Sequence, residues 1–310
     1  MSASHPTVPR KFAIVGSGAV GLFYGGKLAR GGADVHFLMR RDLDAVREKG
    51  LQIRSPEGGF ELTKVQAHGT TESMGTVDVV IVALKATDNQ ALLDLLLPLI
   101  REETMILTLQ NGLGNEAWIA RHFGSERMLG GLCFVCLNRT APGLVEHFGE
   151  GTIMLGEYLR PPAARTRALA AEFQRCGIKV RLAEDLETAR WHKLVWNVPF
   201  NGLAIVAGGV DVSVILGNES LALLARELMR EVIGIAHQLG HRLPETFVED
   251  QMKATGPMGP YKPSSLLDYL EGRPVEVEAI WGEAYRQGLS VNADVAHLET
   301  VYHLLKALCV

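Results

Sequence analysis

The sequence predicts an α/β fold with a mostly parallel sheet and an antiparallel extension in its N-terminal part, followed by an all-helical C-terminal part. Three observations carry this expectation. Short apolar runs alternate with helical patterns from Lys11 onward, and nearly every segment after residue 187 has helical period and length. A chain of 310 residues also exceeds what a single hydrophobic core usually holds. The boundary falls at 183–187, giving domains at 1–185 and 186–310.

The run FAIVG ending at Gly16 reads as a strand, followed by a helix to Arg30, a strand in DVHFLM and a helix over 43–49, which is the βαβ pattern of a parallel sheet. Residues 51–54 and 60–63, on either side of SPEGG, read as a hairpin. Residues 78–83 and 104–109 are short apolar runs bounded by turn residues, as strands buried on both faces should be. Strand-like stretches at 129–137, 143–148 and 152–155 form the antiparallel extension, and a helix over 163–175 with a strand at 178–182 closes the domain. Helical patterns then cover 187–207, 219–239, 245–253, 266–271, 277–287 and 294–308.

Composition narrows the function. With 47% hydrophobic and 21% charged residues the chain belongs to the globular class. A net charge of -4 argues against nucleic acid, whose phosphates need clustered Lys and Arg. No apolar run reaches the roughly 18–20 residues that span a bilayer. The opening MSASHPTVPR lacks the apolar core of a signal peptide, so a cytoplasmic location without a membrane partner is expected. Cys133 and Cys136 have a C-x-x-C spacing, open to metal or redox use. A structural zinc site needs a second pair, however, and Cys176 and Cys309 are far apart, while Phe134 and Val135 favour a buried strand. No metal is expected.

Gly16-Ser17-Gly18-Ala19-Val20-Gly21 is a G-x-G-x-x-G directly after a strand and at the start of a helix. The first glycine permits the tight turn, the second lets backbone approach a pyrophosphate, and the third allows close helix–strand packing. This context marks the N-terminal part as a Rossmann domain for a dinucleotide. An NAD site places an acidic residue at the end of the second strand, but here Arg40 and Arg41 stand there, and a guanidinium suits the 2'-phosphate of NADP. Two solvated arginines are the alternative, and Asp42 is close enough to blur the choice. Lys85 and Gln110-Asn111-Gly112 follow two later strands, on the edge where open parallel sheets bind ligands; each alone is more often an ordinary turn residue.

The segment RWHKLVWNVPFNGLAIVA is mostly apolar, and Lys193, Asn197 and Asn201 within it are spaced four apart on one helix face. An ammonium and two amides amid such apolar neighbours are costly to bury unpaired, so the stripe points to a polar cleft rather than to open solvent. Pro199 is expected to kink this helix. Pro257, Pro260 and Pro263 mark an extended connection into Ser264, which is placed to cap the helix that follows.

In GSGAVG, ALKATDNQ, LQNGLG, RWHKLVWNVPFNGLA and YKPSSLLDYLEGRPVEVEAIWG, taken in that order and spacing, the chain resembles the ketopantoate reductases, also called 2-dehydropantoate 2-reductases. The resemblance covers essentially the whole chain. It implies a Rossmann domain and a helical domain with the active site in the cleft between them. It further implies NADPH-dependent reduction of 2-dehydropantoate to pantoate, in the route to pantothenate and coenzyme A.

Residue by residue, it makes Lys193 the catalytic acid with Glu276 as its carboxylate partner, and Asn197 and Asn201 holders of the substrate. Asn111 is implied near nicotinamide and substrate, Ser264 and Glu276 at the pocket wall, and Arg40, Lys85, Asn111 and Glu276 beside the cofactor with the glycine loop. Leu266 departs from the family's Ser-Ser-Met, and Val275 stands where many members carry threonine before the glutamate. A small-molecule 2-keto acid is the expected partner, and a homodimer is an open option. A reductase of another branched 2-keto acid or carbonyl compound is the alternative, and a non-catalytic dinucleotide sensor a more distant one, since Lys193, Asn197, Ser264 and Glu276 are all present.

Overall fold

A computed structural model describes residues 8–244 and 246–309. It divides into two compact units, one made of the chain up to Gln110 together with Asn115–Leu186, the other of Asn111–Gly114 together with the chain from Glu187 onward. A single cut at 185/186 therefore misses one detail. Four residues that follow the last strand of the parallel core count with the helical unit.

The first unit contains, in chain order, β1 (Lys11–Val15), α1 (Ala19–Arg30), β2 (Asp34–Leu38), α2 (Leu43–Lys49), β3 (Leu51–Arg54), β4 (Phe60–Leu62), β5 (Gln66–His68), β6 (Val79–Val82), α3 (Leu92–Leu96), β7 (Met105–Thr108), α4 (Asn115–Phe123), β8 (Met128–Ala141), β9 (Leu144–Glu157), α5 (Ala164–Arg175) and β10 (Lys179–Leu182). One ten-stranded sheet runs β4-β3-β9-β8-β7-β6-β1-β2-β5, with β10 paired to β9. From β5 through β8 every neighbouring pair is parallel. Strand alternation sends Phe12, Ile14, Val79, Ile81 and Leu107 into one hydrophobic cluster and Ala13, Val15, Val80, Val82 and Ile106 into another. Both faces are covered, which is why β1, β6 and β7 read as unbroken apolar runs.

Three features of the sheet differ from the sequence expectation. The stretches at 143–148 and 152–155 are one strand, because Glu150 (φ 64°) and Gly151 (φ 125°) interrupt the apolar alternation at a register shift without ending the β8–β9 ladder. The extension is mixed: β8 is still parallel to β7, β9 is antiparallel to β8, and both β10 and β3 run parallel to β9. The β3–β4 hairpin thus sits at the far edge of the sheet. β5 was not expected, since three residues are too few to show a period. Cys133 and Cys136 lie on β8 as thiols, and no group of three or more His, Cys, Asp or Glu among the described residues is placed to hold a metal ion.

The second unit contains α6 (Leu186–Val206, from Glu187 onward), α7 (Val212–Gly217), α8 (Glu219–Gln238), α9 (Phe247–Thr255), α10 (Ser264–Leu270), a π-helical turn at Glu278–Gly282, α11 (Glu283–Ser290) and α12 (Ala296–Leu308). The helix expected at 245–253 begins at Phe247, and its expected first residue lies outside the described residues. Trp191, Val195 and Val198 of α6 pack with Leu228 and Val232 of α8, Leu298 and Val301 of α12, and Trp281. The sequence reading missed α7; Asp211 caps it by accepting from the Ser213 and Val214 backbone N–H groups. At the start of α12 the buried Glu231 accepts from His297 N and Leu298 N, supplying from α8 acceptors that the cap residue Val295 cannot. No described helix is long and apolar enough to cross a membrane.

Candidate functional site

In the first unit the glycine loop is shaped by three different steric demands. Gly16 has φ 114°, and a Cβ there would run into the Ala83–Leu84 peptide just beyond β6. At Gly21 a Cβ would overlap the Gly16 carbonyl oxygen. Gly18 is the N-cap of α1, and the place its Cβ would occupy has no atom within 4 Å. The outer glycines close the turn, while the middle one keeps a space clear beside the first turn of α1, formed by Ala19 and Val20. Unpaired N–H groups at a helix start favour an anion, and that turn carries no acidic residue. The residues present therefore fit a dinucleotide pyrophosphate. Ser17 Oγ donates to Leu38 O at 2.6 Å, tying the loop to the end of β2.

Two and three residues past that strand end, Arg40 and Arg41 are exposed. Asp42 is buried at 7% exposure, and its Oδ2 accepts from Arg139 Nη1 at 2.5 Å. The carboxylate that blurs the choice of cofactor is thus committed to a partner on β8. Lys85, half-buried, follows β6. The exit of β7 is held by a relay absent from the sequence reading: Thr108 Oγ1 donates to Gln110 Oε1, Gln110 Nε2 to Asn89 Oδ1, and Asn89 Nδ2 to Asn115 Oδ1. Its signal was the cluster of amides in LQNGLGN immediately after a buried strand.

In the second unit Lys193 Nζ donates to Asn111 Oδ1 at 2.8 Å, although the two residues are 82 positions apart. Both are half-buried. Lys193 extends from α6, which runs unbroken through Pro199. Asn197 and Asn201, at 7% and 2% exposure, continue the stripe inward. Asn201 Nδ2 donates to Asn197 O at 3.1 Å and its Oδ1 accepts from Ser265 N at 3.0 Å, so its carboxamide bridges α6 to the start of α10. The expected capping by Ser264 does not occur. α10 begins one residue earlier than a Ser264 cap requires, Pro263 takes the cap position, and Asn201 satisfies the Ser265 N–H from another helix. Ser264 is left exposed at the first helical position.

Glu276 is buried, 9% exposed, two residues before the π-helical turn. Next to Lys193, burial pushes the His192 imidazole below its ordinary value, and the ring packs on Phe247 with centroids 4.0 Å apart. Leu266 and Val275, the two departures from the family pattern, are both packed in the helical core. Neither removes a proposed catalytic group, though Val275 lacks the hydroxyl of a threonine.

A glycine-shaped anion site at the end of a parallel strand, with arginines where an acidic residue would select NAD, defines the protein as an oxidoreductase of the nicotinamide dinucleotide class with NADP as cofactor. Comparison with known proteins narrows the class. The family model described as Ketopantoate reductase PanE/ApbA matches residues 12–160, and the model of its C terminal matches residues 185–309. A 2-dehydropantoate 2-reductase from Nostoc sp. is 39% identical, over 96% of this chain and 95% of its own. The crystal structure of 2-dehydropantoate 2-reductase from Geobacter metallireducens GS-15 has a TM-score of 0.94 at 43% identity, covering 96% of this chain and 99% of that one. The enzyme of the same name from Methylococcus capsulatus has a TM-score of 0.87 at 35% identity, with 96% of each chain covered. The chain belongs to the ketopantoate reductase family.

Proposed function

We propose that this protein reduces 2-dehydropantoate to pantoate with NADPH, a step toward pantothenate and coenzyme A, and that Lys193 donates the proton. The observation that carries the assignment of the acid is the 2.8 Å bond from Lys193 Nζ to Asn111 Oδ1, which aims an ammonium along a helix face otherwise lined by amides. When bound, NADPH supplies the hydride that reduces the ketone carbon. Lys193 stabilises the negative charge that develops on the ketone oxygen and passes it a proton, leaving a 2-hydroxy acid and a neutral amine that solvent reprotonates. Asn111 holds the ammonium in one direction. Asn197 and Ser264 are our candidates for polar contacts to the substrate; Asn201 acts through its bridge to α10, and Glu276 supplies the counter-charge. In the first unit, Gly16 to Gly21 receive the pyrophosphate, Arg40 the 2'-phosphate, and Lys85 supports the cofactor.

A cytoplasmic location and a homodimeric state go with this reading as proposals, and sedimentation velocity tests the second. The catalytic assignment is tested by following NADPH absorbance with 2-dehydropantoate and identifying the product by mass spectrometry. Formation of pantoate in step with NADPH loss is the expected result. No NADPH oxidation with 2-dehydropantoate, but turnover of another branched 2-keto acid, would move the assignment to that substrate.

A further inference from the structure

We infer that the π-helical turn Glu278–Gly282 and Gly112 form a clasp that positions Asn111 against Lys193, an inference that rests on the catalytic reading above. The segment Asn111–Gly114 is held to the turn by backbone. Leu113 N donates to Ala279 O at 2.9 Å, and the Leu113 side chain, 6% exposed, is anchored in the helical core. Gly112 has φ 84°, and a Cβ there would stand inside the Ala279 carbonyl and 2.8 Å from Ala279 Cβ. Only a glycine lets the two backbones approach this closely.

The other partner in the contact is equally unusual. A π turn carries one more residue per turn than an α-helix, which turns carbonyls away from the regular i→i+4 ladder; such turns are rare and concentrate at functional sites. Here the displaced ladder presents Ala279 O to Leu113. The same turn is fastened to the helix that bears the acid, because Trp281 Nε1 donates to Val198 O at 2.9 Å on α6. Its first residue is fastened as well, with Glu278 accepting from Arg286 Nη1 at 2.7 Å and from Tyr302 OH at 2.9 Å. One turn thus fixes the backbone of Asn111 on one side and the helix of Lys193 on the other, and the 2.8 Å bond between them is the consequence. Gly112, Ala279 and Trp281 are positioning residues: none needs to touch substrate.

The test measures Lys193 without relying on turnover. The full-length apo-protein is labelled with limiting acetic anhydride, and acetylation of Lys193 is read by mass spectrometry against the exposed Lys64 as internal standard. A hydrogen bond to a charged group contributes about 1.5–3 kcal/mol, so losing it should raise Lys193 labelling about tenfold. Asn111→Ala sets the size of that rise, and Gly112→Ala is expected to match it. In the assay Gly112→Ala should lower kcat about 10- to 100-fold, the scale of a small misplacement of a catalytic group, with NADPH affinity unchanged. In an Asn111→Ala background the same substitution should cost little more, because both act through one bond.

Parental Lys193 labelling in a folded Gly112→Ala protein would overturn the inference, as would losses in kcat that simply multiply. Should Gly112→Ala fail to fold, Trp281→Phe decides: raised Lys193 labelling supports the clasp and parental labelling rejects it. A parent protein that does not reduce 2-dehydropantoate would remove the proposed function and leave the labelling result standing on its own.

Discussion

Gly16, Gly18 and Gly21 of the first unit act through what they lack, whereas Lys193, Asn111 and Asn201 of the second act through side chains that other elements must hold. The glycine loop is specified locally. Two of its residues have no room for a Cβ and the third faces open space. The helical site is specified at a distance, since Lys193 reaches back 82 positions to Asn111 and Asn201 reaches forward 64 to Ser265. A cofactor site made of backbone tolerates change in its surroundings but not in its glycines. A proton-donor site made of side chains depends on every contact that aims it.

The two units should therefore fail separately. The largest effect is expected from Lys193→Ala, which should lose at least about 100-fold in kcat, the lower end of what general acid catalysis supplies. NADPH affinity, read by fluorescence titration, should not change. A folded variant with near-parental kcat at saturating substrate would pass the proton to Glu276 or to water.

Glu157 tests the stability of the first unit. Its side chain is fully buried at the end of β9 and accepts from Arg165 Nη2 at 2.6 Å, from Arg160 Nε at 3.1 Å and from Thr166 Oγ1. Burial works to raise its carboxyl, but the bonds from Arg165 and Thr166 and the charges of Arg165 and Arg160 outweigh it and hold the group below its usual value. Removing one partner from a buried ion pair costs about 3–5 kcal/mol, and with both arginines partly exposed Glu157→Gln should fall near the lower figure in urea denaturation. Because the folded group titrates lower than the unfolded one, its stabilisation is present above the ordinary carboxylate range and is lost as pH falls through the folded value. The parent should thus lose stability more steeply in acid than the variant. Parallel acid profiles would contradict this.

Arg40→Ala should weaken NADPH about 10- to 100-fold, the equivalent of one charge-assisted hydrogen bond, while kcat at saturating cofactor is kept. Unchanged affinity would shift the 2'-phosphate to Arg41 or Lys85. Gly18→Ala separates space from fold: φ is -79°, which alanine adopts freely, and the Cβ meets nothing in the protein. The melting temperature should stay where it is while NADPH binding weakens about tenfold or more, because the methyl group occupies the place kept for the pyrophosphate. A drop in melting temperature with intact NADPH binding would show that Gly18 serves packing instead.

What could be read in advance follows the same division. The glycine loop, Arg40 and the Lys193–Asn197–Asn201 stripe are visible because their spacing is a property of one strand–helix turn or one helix. Three of the features not visible depend on distant parts of the chain. Arg139 neutralises Asp42 from 97 positions away. Asn111–Gly114 counts with the helical unit. Asn201, rather than Ser264, satisfies the first turn of α10. The π turn was read as ordinary helix, since one inserted residue barely disturbs an apolar period of 3.6.

The central claim is that this helical site reduces 2-dehydropantoate, and kcat/KM for 2-dehydropantoate against pyruvate, both with NADPH, tests it most directly. A site that hydrogen-bonds the substrate's terminal hydroxyl penalises an analogue lacking it by as much as about 10⁴-fold, far more than an apolar pocket achieves. The expected result is a kcat/KM for 2-dehydropantoate higher than that for pyruvate by at least about 100-fold, allowing for a partly solvated contact. Equal values for the two acids would contradict the claim.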